Sequence, residues 1–166
     1  MTSPSTALIQ SLANLGVEVI FSLSGNQIMP LYDACIDANV RIIHTRHEGA
    51  AVYMAEAYAQ ITGKMGVALV TAGPGLLNAV SALYSAAQSE TPLLLISGDS
   101  ASHLDGRGAF QELDQISITS PITKISGLRV WLHKLLHISS AGAPFRVSHH
   151  HLRLRVGQVQ RSVVEH

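Results

Sequence analysis

The sequence of 166 residues predicts an α/β fold of three layers, in which a doubly wound parallel sheet lies between two layers of helices. Short apolar runs alternate with longer segments of helical spacing, and the runs are unbroken, as in strands covered on both faces. Apolar residues make up 47% of the chain and charged residues 13%, which is typical of a well-buried globular protein. Aromatic residues contribute only 5%. We therefore expect a core built from Ala, Val, Ile and Leu.

The predicted elements alternate along the chain. A first helix over residues 6–15 follows Pro4, with Ser5 as its N-cap and Gly16 after its end. The predicted strands are residues 17–23, 40–45, 67–71, 92–97 and a short last one at 122–125. The further predicted helices are residues 28–39, 49–62, 76–89 and a short one at 111–116, with a break at residues 63–66. The strand at 40–45 is expected to be buried.

Four loops between strands and helices are predicted to share one rim of the sheet. They are residues 24–27, 46–49, 72–75 and 98–100. In a parallel sheet these loops emerge at the carboxyl edge of the strands, where ligands bind. Glycines in the loops allow the backbone to approach a neighbour or a ligand closely. The convergence predicts a binding site at this rim.

Glu48 stands out in this pattern because it lies between the strand at 40–45 and the helix at 49–62. The free backbone N–H groups and the dipole at a helix N-terminus favour a negative charge there. Such a carboxylate is held rigidly and aimed outward from the sheet edge. The alternative is a helix-end charge with no chemical role, and this turn alone does not decide between the two.

The glycine turn of the segment TAGPGLLN, residues 71–78, lacks the spacing of a dinucleotide-binding loop or a P-loop. It predicts either a plain tight turn or a loop that binds an anion or a polar ring through its amides. No G-x-S-x-G elbow supports a serine nucleophile. Glu112 and Asp114 fit a solvated face.

No metal site is predicted. His44, His47 and His103 lack the spacing of metal ligands, and the run His149–His151 suggests adventitious affinity only. The single cysteine, Cys35, excludes an internal disulfide and is interpreted as a small buried side chain in a reducing compartment. With a net charge of zero, no leader segment and no apolar run of about 18 residues, we expect a cytoplasmic protein that binds neither nucleic acid nor membrane.

The regular alternation of predicted strands and helices ends near residue 126. Residues 126–166 hold six of the nine His and six of the eleven Lys and Arg but only one acid, so this tail is near +5 and the rest near −5. A domain boundary is predicted at residue 125, with residues 1–125 as one domain. Within the tail, residues 128–138 are expected to form a helical turn or two and residues 152–156 a strand. The basic tail contains no nucleic-acid-binding motif.

Four separated segments carry a family resemblance. GNQIMPLYDAC, RHEGAAVYMAEAYAQITGKMGVALVTAGPGLLNAVSAL, TPLLLISGDS and GAFQELDQISITSPITK together resemble the N-terminal, pyrimidine-binding domain of thiamine-diphosphate-dependent enzymes, acetolactate synthase and its relatives in particular. The resemblance covers about residues 5–125. It implies decarboxylation of a 2-oxo acid such as pyruvate, followed by carboligation.

The resemblance also implies roles for single residues. Glu48 matches the glutamate that hydrogen-bonds N1′ of the cofactor's aminopyrimidine. Gln111 matches a glutamine that reaches the reactive end of the cofactor from the partner subunit. The residues implied in cofactor binding are Gly25, Asn26, Glu48, Thr71, Gly73, Pro74 and Asn78.

The family pattern is incomplete in this chain. Relatives are more than three times as long, and their C-terminal domain holds the diphosphate and Mg²⁺ with a Gly-Asp-Gly…Asn motif that is absent here. We therefore expect half an active site, inactive alone, which forms a homodimer or pairs with a separate diphosphate-binding chain. Residues after about 125 are expected to be the product of a frameshift or truncation. The alternatives are a non-catalytic dimerisation subunit and a flavodoxin-like regulatory domain.

Overall fold

The computed structural model describes residues 3–129 and 134–139. In chain order its elements are α1 (Pro4–Asn14), β1 (Val19–Ser22), α2 (Met29–Asp37), β2 (Arg41–His44), α3 (Glu48–Thr62), β3 (Gly66–Val70), α4 (Pro74–Gln88), β4 (Leu93–Gly98), α5 (Gln115–Thr119), β5 (Ile125–Arg129) and β6 (Lys134–Ser139). Short 3₁₀ helices occupy Asn26–Ile28, Ser102–Leu104 and Ser120–Ile122. The predicted alternation of strands and helices is therefore confirmed through β4.

The described strands form one sheet in the order β2-β1-β3-β4-β6-β5. The first four are parallel, with Ile20 opposite Ile42 and Ala68 opposite Leu95. Strand β6 runs antiparallel to β4 and β5 runs antiparallel to β6. Consequently β1 to β4 all point their carboxyl ends at the same edge.

Alternate residues of the central strands enter two separate cores. Ala68 and Leu95 belong to the core beneath α3 and α4. Leu69 and Ile96 belong to the core beneath α1 and α2. Helices thus cover both faces of the parallel strands, which confirms the three-layer fold, and the cores consist mainly of Ala, Val, Ile and Leu as predicted.

Cys35 is buried in the α1 and α2 core, as predicted. Burial penalises the thiolate and raises the pKa of its thiol to about 11. At neutral pH this side chain is therefore a protonated, apolar packing group.

Two local predictions are wrong. Ser3, rather than Ser5, caps α1: its side chain accepts the N–H of Thr6 at 3.1 Å, because Pro4 lacks an N–H and occupies the first helical turn. Strand β2 is only partly buried, because it lies at the edge of the sheet and has a neighbour on one side.

Helix α5 starts at Gln115 rather than at 111. Its N-cap is Asp114, which accepts the N–H of Ser117 at 3.1 Å. Gln111 lies before it with a left-handed backbone, φ +63°. The strand predicted at 122–125 begins only at Ile125, after the 3₁₀ turn.

The helical turns predicted for residues 128–138 are wrong, because their described parts belong to β5 and β6. The open edge of β4 offers backbone hydrogen bonds that the local sequence pattern does not reveal. The boundary at residue 125 stays a prediction, and it coincides with the first residue of β5. Residues 152–156 and His149–His151 lie outside the described residues.

Among the described residues, no helical segment combines the length and the hydropathy that spanning a bilayer requires.

Candidate functional site

The loops after β1, β3 and β4 touch one another at the carboxyl edge of the sheet. A β-carbon added at Gly25 would lie 2.4 Å from Cβ of Thr71. One added at Gly98 would lie 2.8 Å from Cβ of Gln27. These glycines are required by contacts between the loops themselves, and the predicted shared rim is present.

Glu48 reaches this rim as the first residue of α3 and is 8% exposed. The preceding residue, His47, has an extended backbone and caps the helix: its Nδ1 accepts the N–H of Gly49 at 3.0 Å. The carboxylate is therefore at the positive end of the helix dipole, on a capped and fixed first turn.

Asn78 of α4 fixes the Glu48 side chain. The amide Nδ2 donates to Oε2 of the carboxylate at 3.0 Å. Oε1 accepts no hydrogen bond from the described residues, and every fully buried polar side-chain atom among them has a partner. Oε1 therefore opens to the surface. The arrangement presents one free carboxylate oxygen on an otherwise buried side chain.

The turn at Gly73 holds the backbone of Gln111. Gly73 has φ +55°, and a β-carbon there would lie 2.6 Å from the carbonyl oxygen of Gln111. Only glycine fits both the dihedral angle and the contact. The next glycine, Gly75, brings the turn to Glu48, since its added β-carbon would lie 3.5 Å from Oε1.

A chain of side-chain hydrogen bonds crosses the rim. Oγ1 of Thr71 donates to Oε1 of Gln27 at 2.6 Å. Nε2 of Gln27 then donates to Oε1 of Gln111 at 2.8 Å. The chain connects the loops that follow β1 and β3 with the segment before α5.

The segment before α5 is anchored to the end of β4 by buried Gln115. Its Nε2 donates to the carbonyl of Gly98 at 2.9 Å, and its Oε1 accepts from Ser97 at 2.7 Å. The carbonyl of Gln111 thus lies against Gly73, and Gln115 anchors the segment that follows it.

A cleft of about 190 Å³ lies beyond the end of β4, beside the rim. Its lining residues are Asp99, Ser100, Asp105, Glu112, Leu113, Asp114, Gln115 and Ile116. None of the residues predicted for the site lines it.

Glu112 and Asp114 hold backbone in place, which the solvated-face interpretation does not capture. Glu112 accepts the N–H groups of Gly106 and Ala109, and these bonds, Gly106 first, lower the pKa of its carboxyl group. The pKa of Asp114 is lowered mainly by the Ser117 hydroxyl, which donates to it. No three His, Cys, Asp or Glu side chains converge as metal ligands in the described part of the chain.

The structure therefore brings most of the predicted site residues together. Glu48 pairs with Asn78, Gly25 packs on Thr71, and Gly73 packs on Gln111. Asn26 lies nearby in the 3₁₀ helix after β1, and Pro74 is the exposed first residue of α4.

Gln27 lies in a predicted rim loop, and no motif in the sequence indicates a role for it. Its partner Gln111 is 84 positions away. The sequence feature that could have indicated this pairing is the presence of two glutamines in segments expected at or near the same rim.

Comparison with known proteins gives a consistent picture. Residues 3–118 match the family model described as thiamine pyrophosphate enzyme, N-terminal TPP binding domain. The chain is 41% identical over 145 residues to 2-hydroxyacyl-CoA lyase 2 of Danio rerio. The aligned region covers 83% of this chain and 23% of that protein. The chain is 41% identical over 149 residues to acetolactate synthase of Mycobacterium avium, covering 86% and 24%.

The acetolactate synthase large subunit of Haemophilus influenzae is 39% identical over 150 residues, covering 86% of this chain and 26% of that protein. The chain thus spans about a quarter of the length of these relatives.

Proposed function

We propose, from the premise that this chain belongs to the thiamine pyrophosphate enzymes as their N-terminal TPP binding domain, that it holds the aminopyrimidine end of thiamine diphosphate. In this role it supplies half of the active site of an acetolactate synthase-like decarboxylase and carboligase. The observation that carries the proposal is the buried carboxylate of Glu48, with one oxygen held by Asn78 and the other open at the rim.

The side chains of the rim fit an aminopyrimidine chemically. A carboxyl group in a mostly buried site can share a proton with a ring nitrogen through a hydrogen bond. We assign Glu48 to N1′ of the aminopyrimidine, with Asn78 holding the carboxylate in orientation. Gln111 is assigned to the reactive end of the cofactor, where its fixed amide would meet the substrate. The residues proposed to contact or frame the cofactor are Gly25, Asn26, Glu48, Thr71, Gly73, Pro74 and Asn78.

When bound, thiamine diphosphate supplies the electron sink for decarboxylation of a 2-oxo acid and for carboligation of the product. The chain's own part is to hold a proton at the carboxyl group of Glu48, to orient that group, and to keep solvent from most of it. We assign the diphosphate and its Mg²⁺ to a diphosphate-binding domain or chain, since the described rim brings no three ligating side chains together.

A half-site implies weak binding by this chain alone. Contacts to the aminopyrimidine alone leave the diphosphate without a partner, so we expect a Kd in the millimolar range, which corresponds to roughly 4 kcal/mol of binding free energy. We expect negligible activity from the isolated chain. Submillimolar binding of thiamine diphosphate, measured by calorimetry with Mg²⁺ present, would refute the half-site.

A chimera tests the catalytic role. Residues 3–118 would replace the corresponding segment of the Haemophilus influenzae acetolactate synthase large subunit, whose similarity makes it a suitable host. We expect cofactor binding and acetolactate formation from pyruvate, and loss of activity with Glu48→Gln. The matched control is Gln88→Glu, at the exposed end of α4. A chimera that folds and binds no cofactor, or one that is unaffected by Glu48→Gln, contradicts the proposal.

A second candidate is a non-catalytic module that forms a homodimer or pairs with a separate diphosphate-binding chain. It is favoured by the outer faces of α3 and α4. The charged residues of these two helices, Glu48 and Glu56, are both buried and add no charge to those faces. Large apolar side chains stand exposed there instead: Tyr53, Met54, Ile61, Leu77 and Tyr84. An apolar surface of this kind is typical of an interface.

A further inference from the structure

We propose that Gln27 is a positioning residue, which fixes the side-chain amide of Gln111 with its Nε2 directed away from Gln27 as a hydrogen-bond donor for a ligand at the rim. The positioning depends only on contacts within this chain. The statement that the donor meets an oxygen of a bound substrate rests on the proposed function.

The hydrogen-bond chain begins at Thr71. Its hydroxyl donates to Oε1 of Gln27, which leaves the NH₂ end of that amide facing Gln111. An NH₂ group needs an acceptor, so Gln111 turns its Oε1 toward Gln27 at 2.8 Å. The Nε2 of Gln111 is thereby left on the other side of the amide, and it donates to no other side chain or backbone carbonyl among the described residues.

The backbone conformation of Gln111 is constrained as well. Its φ of +63° is unusual for a residue with a side chain, and its carbonyl lies against Gly73. Residues held in such conformations cluster at functional sites, where the surrounding structure keeps them in place. Both the main chain and the side chain of Gln111 are therefore constrained before any ligand arrives.

A fixed outward donor defines the chemistry of its ligand. The NH₂ group of an amide pairs with a carbonyl or carboxylate oxygen and cannot accept a hydrogen bond. A substrate that carries such oxygens beside its reacting carbon, as a 2-oxo acid does, matches this donor. Because Gln27 holds the Gln111 side chain in place beforehand, ligand binding would carry a smaller entropic cost of ordering that side chain.

Hydrogen exchange of side-chain amides, followed by NMR on the full chain without ligand, tests the positioning. In the wild-type protein we expect slow exchange for the Nε2 protons of Gln27 and fast exchange for those of Gln111. The reverse order of the two rates overturns the proposal. This comparison requires no substitution, so it is decisive even if a variant fails to fold.

Gln27→Glu supplies the second readout. A carboxylate at position 27 only accepts, so the amide of Gln111 must turn around and donate to it. We expect the exchange of the Gln111 Nε2 protons to slow by about tenfold, and the Gln88→Glu control to leave it unchanged. Unchanged Gln111 exchange in a folded Gln27→Glu variant would also overturn the positioning role.

These measurements are separate from the proposed function. They involve no cofactor, so a failure here leaves the assignment of Glu48 to the aminopyrimidine intact. Conversely, a chain that binds no thiamine diphosphate and still shows the predicted exchange pattern would retain the positioning of Gln111 and lose only its assigned ligand.

Discussion

The side-chain amide of Asn78 donates a hydrogen bond of 3.0 Å to Oε2 of Glu48, and it thereby connects α4 to the first residue of α3. This bond joins the helix that follows the glycine turn after β3 to the one buried carboxylate of the described rim. It also decides which carboxylate oxygen remains open.

Replacing Asn78 by Ala should lower the free energy of unfolding by about 1–3 kcal/mol, because a largely buried carboxylate loses its donor. Urea unfolding followed by circular dichroism measures the change. Gln88→Ala, at the exposed end of the same helix, should change stability by less than about 0.5 kcal/mol. Equal effects of the two substitutions would show that the Asn78 bond contributes nothing.

Gly73→Ala should destabilise the chain more than Gly63→Ala. Both glycines have positive φ, +55° and +68°. Gly63 is in the left-handed helical region, with ψ 4°, where alanine costs roughly 1 kcal/mol of backbone strain. Gly73 has ψ −107°, outside the regions open to a residue with a side chain, so its backbone strain is larger. A β-carbon at Gly63 meets nothing within 4 Å, whereas one at Gly73 meets the carbonyl of Gln111 at 2.6 Å. We expect an additional cost of about 1–3 kcal/mol at Gly73, measured by urea unfolding, and shifted NMR signals of Gln111. Similar stabilities for the two variants would contradict the contact.

The elements through β4 could be predicted from sequence because each strand there contains a short apolar run and each helix has apolar residues at helical spacing. Errors arose where distant partners decide the structure. Strand β2 looked buried because Ile42 and Ile43 are apolar, but its place at the edge of the sheet depends on pairing with β1. Strands β5 and β6 depend on the open edge of β4, which no local pattern reveals.

Acidification should release the loop before α5. The N–H groups of Gly106 and Ala109 lower the pKa of Glu112. A carboxyl group with a lowered pKa stabilises the folded state above its ordinary pKa, and this contribution is lost as the pH falls through the lower, folded-state value.

NMR titration of the Glu112 carboxyl carbon should therefore give a midpoint below the usual range, together with shifts of the Gly106 and Ala109 amides. Glu112→Gln should remove these coupled shifts. Glu90→Gln, at an exposed position two residues after α4, should not. A midpoint in the ordinary range would show that the two amides do not hold the carboxylate.

The apolar faces of α3 and α4 predict self-association. Tyr53 and Tyr84 are 48% and 52% exposed, and a lysine at either position would place a charge in the interface. We expect analytical ultracentrifugation to show a dimer for the wild-type chain and a shift toward monomer for Tyr53→Lys and Tyr84→Lys. Ile36→Lys, on a helix of the opposite layer and 79% exposed in the wild type, is the matched control. A monomeric wild-type chain would contradict this surface as a homodimer interface.

The candidate site was predictable to the extent that single loops carry it. Glu48 and Gly73 stand in short segments whose position in the fold follows from the strand before them. The pairing of Glu48 with Asn78 and of Gln27 with Gln111 depends on side-chain directions across different loops. Such pairings come from packing, so the sequence predicts that these residues lie in the same region and does not predict that they pair.

The most direct test of the central claim is an NMR titration of the full chain with thiamine diphosphate, comparing the wild type with Glu48→Gln. We predict saturable shifts in the millimolar range for the amides of Glu48, Gly73 and Asn78, and a loss of affinity of about tenfold in the variant. Absence of shifts at these residues, or equal affinity of the two proteins, would contradict the assignment of Glu48 to the aminopyrimidine.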